Sequence, residues 1–209
     1  MAAGLTFAAF VLSCAEREQV LAATLSSLRA SGWHDPACVV MDDGRGTTRL
    51  DRIHRTWLAV LRQAGASRAS FTLLLEDDIV FGHSFRENLM SWALLRAVPP
   101  SRAFYASLYN PGRPSLVRRP EQRYFVAESR LVWGAQALVL TPEMARFIAA
   151  NWGSADGNPD MRMPQIAARV TPIYYHLPSL VDHAPVPTTW GGMTHSAIDF
   201  DPDWRASQA

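Results

Sequence analysis

Residues 71–81 read Phe-Thr-Leu-Leu-Leu-Glu-Asp-Asp-Ile-Val-Phe, and they are the most informative segment of the chain. Its apolar residues form an unbroken run, which is typical of a strand buried on both faces. Three carboxylates, Glu76, Asp77 and Asp78, stand at the end of that strand. They repel one another and lose hydration there, which is costly unless a cation or a donor-rich ligand lies beside them.

We call Glu76, Asp77 and Asp78 the acidic trio. Hard divalent cations prefer carboxylate oxygens, and Mg²⁺ is usually held by one or two carboxylates together with substrate phosphates. The acidic trio therefore indicates metal-assisted chemistry on a phosphorylated substrate. The alternative is structural, because acids after a strand also cap helices or lie solvated in turns, and short motifs match by chance.

Composition limits the class of protein. The chain has 209 residues, 48 % of them hydrophobic and 19 % charged, which fits one globular domain with a sizeable core. A net charge of +1 argues against a nucleic-acid partner. All 20 basic residues are arginine, which excludes a lysine Schiff base and a P-loop lysine. Cys14 and Cys38 provide no disulfide framework.

No stretch of the sequence approaches the ~20 apolar residues of a membrane span, so we expect no integral membrane segment. The first basic residue, Arg17, follows the apolar segment 5–12 instead of preceding it. That order argues against a signal peptide. We therefore expect a cytoplasmic protein and leave peripheral association with the inner membrane open.

Strand-like and helix-like segments alternate along the chain. Strands are predicted at 5–12, 37–41, 71–75, 103–109, 136–140 and 173–177, and helices at 16–31, 49–64, 84–97, from Thr141, and at 160–169. This order predicts an α/β fold, in which helices flank a mostly parallel, doubly wound sheet. The stretch 110–120 is rich in proline and arginine and is typical of a loop.

Polar clusters follow the first three predicted strands. They are residues 13–17 (Ser-Cys-Ala-Glu-Arg), residues 42–44 (Asp-Asp-Gly) and the acidic trio. Ligands of open α/β sheets bind outside the carboxyl ends of the strands. The three clusters are therefore expected at one edge of one sheet.

These motifs resemble a known family. The strand followed by Ser-x-x-x-Arg, then Val-Val-Met-Asp-Asp-Gly, then Leu-Leu-Leu-Glu-Asp-Asp-Ile-Val-Phe, is similar to the GT-A class of nucleotide-sugar glycosyltransferases. The Leu-Glu-Asp-Asp form resembles lipooligosaccharide-type glycosyltransferases and some N-acetylglucosaminyltransferases. The resemblance implies a Rossmann-like GT-A domain over residues 1–192 and a C-terminal tail over residues 193–209.

The resemblance also implies roles for the residues near the nucleotide. Ser13 and Arg17 match the loop that contacts the nucleotide and its diphosphate. Asp42 or Asp43 matches the acid that reads the base or ribose, although Asp43-Gly44 alone also fits a simple turn. The acidic trio matches the family's metal motif, whose last carboxylate, here Asp78, usually holds Mn²⁺ or Mg²⁺. Glu76 stands where the family has Asp.

Further matches lie in the second half of the chain. Gly134 and Gln136 belong to a segment that resembles the wall along the donor sugar. Asp160 matches the acid that faces the acceptor and is the candidate base, with Asp156 as the second candidate. As an alternative, Asp160 caps a helix. His183 matches a histidine that often lies near the metal, and its alternative is a histidine satisfied by the backbone.

The predicted function is metal-dependent transfer of a hexosyl or N-acetylhexosaminyl group from a nucleotide-sugar, with UDP-sugars favoured, to a hydroxyl of a glycan or other acceptor. One alternative is a nucleotidyltransferase on a related fold, although residues 13–18 lack the glycines of its basic loop. The other alternative is a non-catalytic GT-A-like domain that binds nucleotide or sugar.

Overall fold

The computed structural model describes residues 4–99, 101–187 and 195–206. Its strands are β1 (Phe7–Ser13), β2 (Ala37–Met41), β3 (Phe71–Glu76), β4 (Ile79–Phe81), β5 (Tyr105–Ser107), β6 (Ser115–Arg119), β7 (Tyr124–Ala127), β8 (Ala137–Leu140), β9 (Ile173–His176) and β10 (Val181–His183). Its helices are α1 (Glu18–Ala30), α2 (Arg49–Ala66), α3 (Phe85–Ser91), α4 (Ala93–Ala97), α5 (Pro142–Ala150) and α6 (Pro159–Ala167).

Eight strands form one sheet in the order β2-β1-β3-β8-β5-β9-β7-β6, and β4 pairs with β10 in a separate ribbon. β1 is parallel to both β2 and β3. β8 and β7 run antiparallel to their neighbours, so six of the eight strands point in one direction. The predicted α/β fold with a mostly parallel sheet flanked by helices is confirmed.

The two faces of the sheet are covered by different helices. Along β3, Leu74 packs in the core formed with α2, α5 and α6, while Leu73 and Leu75 pack in the core formed with α1, α3 and α4. All three leucines are fully buried, which explains why β3 is apolar throughout its length. The acidic trio begins where this burial ends.

Two sequence predictions were wrong. The segment 110–120 is not all loop, because residues 115–119 form β6 at the sheet edge, where it pairs with β7. An edge strand exposed along its length lacks the apolar pattern that identifies a buried strand. The predicted helix 84–97 is interrupted at Trp92, whose extended backbone (ψ 110°) separates α3 from α4. Trp92 is fully buried.

Residues 195–206 pack against the domain. Asn88 donates to the Trp204 carbonyl at 2.9 Å, and Arg123 donates to the Ala206 carbonyl at 2.7 Å. Asp199 accepts from the Ser179 hydroxyl at 2.5 Å. In the parts of the chain that the structure describes, no helix has the length and apolar character needed to cross a membrane.

Candidate active site

A cavity of about 770 Å³ opens at the carboxyl ends of β1, β2 and β3. Register brings these ends together, since Ser13 lies opposite Met41 of β2 and Leu12 lies opposite Glu76 of β3. The first turns of α2, residues 133–136, residues 158–160, His183 and His195 form the other walls. The three polar clusters identified in the sequence all reach this cavity.

Arg17 forms ion pairs with two carboxylates that line the cavity. Its Nε donates to Asp77 Oδ1 at 2.8 Å and its Nη2 donates to Asp78 Oδ2 at 2.6 Å. The Ser13 hydroxyl donates to the other oxygen of Asp77. The Arg17 side chain is only 8 % exposed, so it compensates buried carboxylates. Contact between Arg17 or Ser13 and a diphosphate remains a prediction.

His183 lies directly beside Asp78. Its Nε2 is 3.4 Å from Asp78 Oδ2, and its Nδ1 is 3.0 Å from the carbonyl oxygen of Ala184. Because that carbonyl can only accept, Nδ1 donates to it, and Nε2 is the ring nitrogen that faces the carboxylate. The pairing of β10 with β4 sets this position, since His183 lies opposite Ile79.

Asp78 and His183 are chemically suited to a divalent cation. Asp78 Oδ1 is buried and has no hydrogen-bond partner among the described residues. A histidine whose second nitrogen is held by a backbone carbonyl is the usual arrangement of a metal ligand. No group of three or more His, Cys, Asp or Glu side chains is arranged for a metal in the described residues. The donor set therefore fits a cation that takes its remaining ligands from substrate oxygens.

Glu76 lies in an unfavourable electrostatic environment for a carboxylate. Burial raises the pKa of its carboxyl well above the ordinary value, and the charges of Asp78, Asp160 and Asp77 raise it further. Burial also raises the pKa of Asp77, although the Ser13 hydroxyl and Arg17 oppose that shift. The cavity therefore favours either a proton or a bound cation near Glu76.

Asp160 lies in the first turn of α6 and reaches the cavity, whereas Asp156 is exposed and lies outside it. Asn158 occupies the N-cap position, so Asp160 is not the cap. Asp160 Oδ2 accepts from the backbone N–H of Gly134 at 3.3 Å, while Oδ1 is buried without a partner in the described residues. Burial raises the pKa of Asp160, and the N–H groups of Gly134 and Met161 oppose the shift.

The segment before β8 forms the wall next to Asp160. Gly134 has φ +100°, and a Cβ there would lie 2.7 Å from Gln136 Oε1. Glycine is therefore favoured at this turn by its backbone angle, and a larger residue would also displace the end of the Gln136 side chain. Gln136 Oε1 is buried without a partner among the described residues. Both residues line the cavity, as expected of a ligand-contacting wall.

Behind Asp160 lies a polar layer that the sequence did not reveal. Tyr105 and Tyr175 are each 1 % exposed, and their hydroxyls have no partner in the described residues. Arg113 stacks on Trp133 with its Cζ 3.4 Å from the ring centroid. Tyr105 interacts electrostatically with Asp160 and Tyr175, and Arg113 does so with the same two residues. A tyrosine in an apolar strand looks like ordinary core, so only the tertiary structure shows this layer.

Asp42 and Asp43 have different positions. Asp42 lines the cavity and accepts from both Nε and Nη2 of Arg52, at 2.8 Å and 2.7 Å. Asp43 is exposed and accepts from the backbone N–H of Arg45 at 2.9 Å. Of the two acids, Asp42 is therefore the one that lines the cavity.

Helix α2 supplies a wall that sequence reasoning missed. Its cavity-lining residues are Arg49, Arg52, Ile53, Thr56 and Trp57. Their spacing of three and four residues places them on one helical face, and this periodicity was the available signal. Apolar residues with this spacing, such as Ile53 and Trp57, are typical of core, so the spacing alone does not indicate a cavity wall.

Comparisons with known proteins give similarity in structure alone. No family model and no curated protein sequence matches the chain. A galactosyltransferase LgtC, solved with donor and acceptor sugar analogues, is 9 % identical with a TM-score of 0.44 over 86 % of this chain and 87 % of that one. A glycosyltransferase involved in glycosylation of the major capsid of PBCV-1 is 10 % identical with a TM-score of 0.44 over 81 % and 82 %.

A third solved structure, described as a mannose-1-phosphate geranyltransferase from Thermus thermophilus, is 12 % identical. Its TM-score is 0.47 over 82 % of this chain and 74 % of that chain.

Proposed function

We propose that this protein is a GT-A-type glycosyltransferase that uses Mn²⁺ or Mg²⁺ and transfers a sugar from a UDP-sugar to an acceptor hydroxyl. The observation that carries the proposal is that one cavity contains both a candidate metal site and a candidate catalytic base. Asp78 and His183 offer a carboxylate and an imidazole to a cation, and Asp160 provides a separate buried carboxylate.

In this proposal Asp78 and His183 hold the ion, with Glu76 near enough electrostatically to favour it. When bound, the ion supplies Lewis-acid stabilisation of the negative charge on the departing nucleoside diphosphate. Arg17 keeps Asp77 and Asp78 in place through its two ion pairs. Asp42, oriented by Arg52, is positioned to accept a hydrogen bond from the ribose or base.

Asp160 is proposed as the base that takes the proton of the acceptor hydroxyl in an inverting reaction. The N–H of Gly134 orients one oxygen, and the other has no partner among the described residues, so it is available to a hydroxyl. The raised pKa of Asp160 makes its carboxylate a better proton acceptor than an ordinary aspartate. Gly134 and Gln136 would lie along the donor sugar.

The test is calorimetric titration of UDP in Mn²⁺ and in EDTA, followed by a screen of UDP-sugars for turnover. We expect UDP to bind more tightly with Mn²⁺, and D78N and H183A to lose that difference. H34A is the matched control, because His34 is exposed and lies outside the cavity. Thermal unfolding of each variant verifies that the fold is retained.

UDP affinity that is equal in EDTA and Mn²⁺, and equal in D78N, would contradict the metal assignment. Metal-dependent binding without turnover of any UDP-sugar would instead identify a non-catalytic nucleotide-binding domain. Release of pyrophosphate from a sugar phosphate and UTP would identify a nucleotidyltransferase.

A further inference from the structure

The edge of the sheet farthest from β2 carries an unusual exposed surface. We define the β6–β7 hairpin surface as Leu116, Val117, Arg118, Arg119, Arg130 and Leu131. All five residues of β6 are exposed, although strand side chains alternate between two faces. Both faces of β6 are therefore exposed to solvent.

Charge is concentrated on this part of the chain. Residues 113–131 contain five arginines and two glutamates, a net charge of +3. The whole chain carries +1, so the remainder carries −2. Neither Arg118 nor Arg119 has an ion-pair or hydrogen-bond partner for its side chain in the described residues. These two guanidinium groups are available to an external anion.

Large apolar side chains are interleaved with these arginines. Leu116 is 60 % exposed, Leu131 47 % and Val117 43 %. Arg113 connects the surface to the cavity, because its Nη1 is 3.5 Å from the Leu131 carbonyl and its guanidinium stacks on Trp133, which lines the cavity wall. Arg130 pairs with Glu128, so Arg118 and Arg119 are the unpaired arginines of this surface among the described residues. The combination of exposed leucines, these two arginines and proximity to the cavity needs one common explanation.

We propose that the β6–β7 hairpin surface binds an anionic phospholipid membrane. Arginine side chains bind acidic headgroups, and the neighbouring leucine and valine side chains enter the interfacial region between headgroups and acyl chains. A duplex nucleic acid would match the charge but would leave the leucines exposed to water. The proposal does not depend on the proposed glycosyl transfer. If both hold, the membrane brings acceptors that it carries near the cavity, through the contacts of Arg113 with Leu131 and Trp133.

The experiment is co-sedimentation of the full chain with vesicles of phosphatidylcholine alone and of phosphatidylcholine mixed with phosphatidylglycerol. We expect binding only to the mixed vesicles, weakening as the ionic strength rises from about 0.01 M to about 1 M and the Debye length shortens. R118E/R119E should lower the partition coefficient at least about 30-fold, since the loss of each arginine near the surface lowers it about five- to sixfold.

R29E/R68E is the matched control, because it makes the same change in charge at two exposed arginines elsewhere; it should retain most of the binding. L116S/L131S leaves the charge unchanged and should weaken binding to the mixed vesicles. Circular dichroism verifies the fold of each variant. Failure of the wild type to sediment with mixed vesicles at low salt, or an equal loss in R29E/R68E, would overturn the proposal. Tighter binding to duplex DNA than to the mixed vesicles would also overturn it.

Discussion

Replacing Arg17 with methionine tests the electrostatic organisation of the cavity. Arg17 makes two ion pairs, at 2.8 Å and 2.6 Å, and its side chain is 8 % exposed, as is that of Asp77. Removing one partner of a buried ion pair leaves an uncompensated charge and costs about 3–5 kcal/mol. For a domain of this size, that loss corresponds to a decrease of roughly 6–20 °C in the melting temperature.

The assay is urea unfolding at pH 7 in EDTA, followed by circular dichroism. R29M is the control, because Arg29 lies exposed in the last turn of α1, where its loss should cost about 1 kcal/mol or less. Combining R17M with D77N should recover part of the stability, since the double variant removes both partners of one pair. A loss in R17M as small as that in R29M would refute the conclusion that Arg17 compensates the acids.

Adding Mn²⁺ extends the same experiment. A ligand that binds only the folded state raises the free energy of unfolding by RT ln(1 + [L]/Kd), where [L] is the free ligand concentration. Without Arg17, Asp78 has two oxygens available in place of one, so Mn²⁺ should stabilise R17M more than the wild type. An equal effect of Mn²⁺ on both proteins would show that the ion does not bind at these carboxylates.

Three further outcomes are expected. D160N should lower the rate of transfer by about 10²–10⁴-fold with little change in UDP affinity. D156N should keep the wild-type rate in steady-state kinetics, because its side chain lies outside the cavity. The pKa of the Glu76 carboxyl is higher in the folded protein than in the unfolded chain, so protonation of this group should favour folding as the pH is lowered from 8 to 5 in EDTA. In urea titrations, E76Q should show a weaker dependence of the free energy of unfolding on pH. T141A should lower the free energy of unfolding by about 2–3 kcal/mol, because the buried Thr141 hydroxyl caps α5 and also accepts from the Phe104 N–H. T141S keeps the hydroxyl and should lower it by about 1 kcal/mol or less.

The sequence predicted the half of the fold that local patterns determine. β1, β2 and β3 are apolar runs that end in polar clusters, and parallel register then requires those clusters to meet. This reasoning placed Ser13, Asp42 and the acidic trio at one cavity without any tertiary information. The same reasoning failed for β6, whose exposed residues carry no periodic signal.

The remaining parts of the site depend on contacts between distant segments. His183 reaches Asp78 only because β10 pairs with β4 across about a hundred residues of sequence. Tyr105 and Tyr175 approach Asp160 only because β5 and β9 are neighbours in the sheet. Such pairings are set by packing of the whole domain and leave no mark in the local sequence.

The electrostatics of the cavity connects its stability to its function. Parallel register forces carboxylates onto one edge, and Arg17 compensates Asp77 and only one oxygen of Asp78. Glu76 and the second oxygen of Asp78 therefore remain as excess negative charge in a buried place, which destabilises the fold. The same excess charge attracts a divalent ion. The repulsion that lowers the stability of the ion-free protein therefore also raises its affinity for the ion. E76Q should therefore stabilise the ion-free protein or leave it unchanged while it weakens Mn²⁺ binding, and a loss of both stability and Mn²⁺ binding in E76Q would contradict this link.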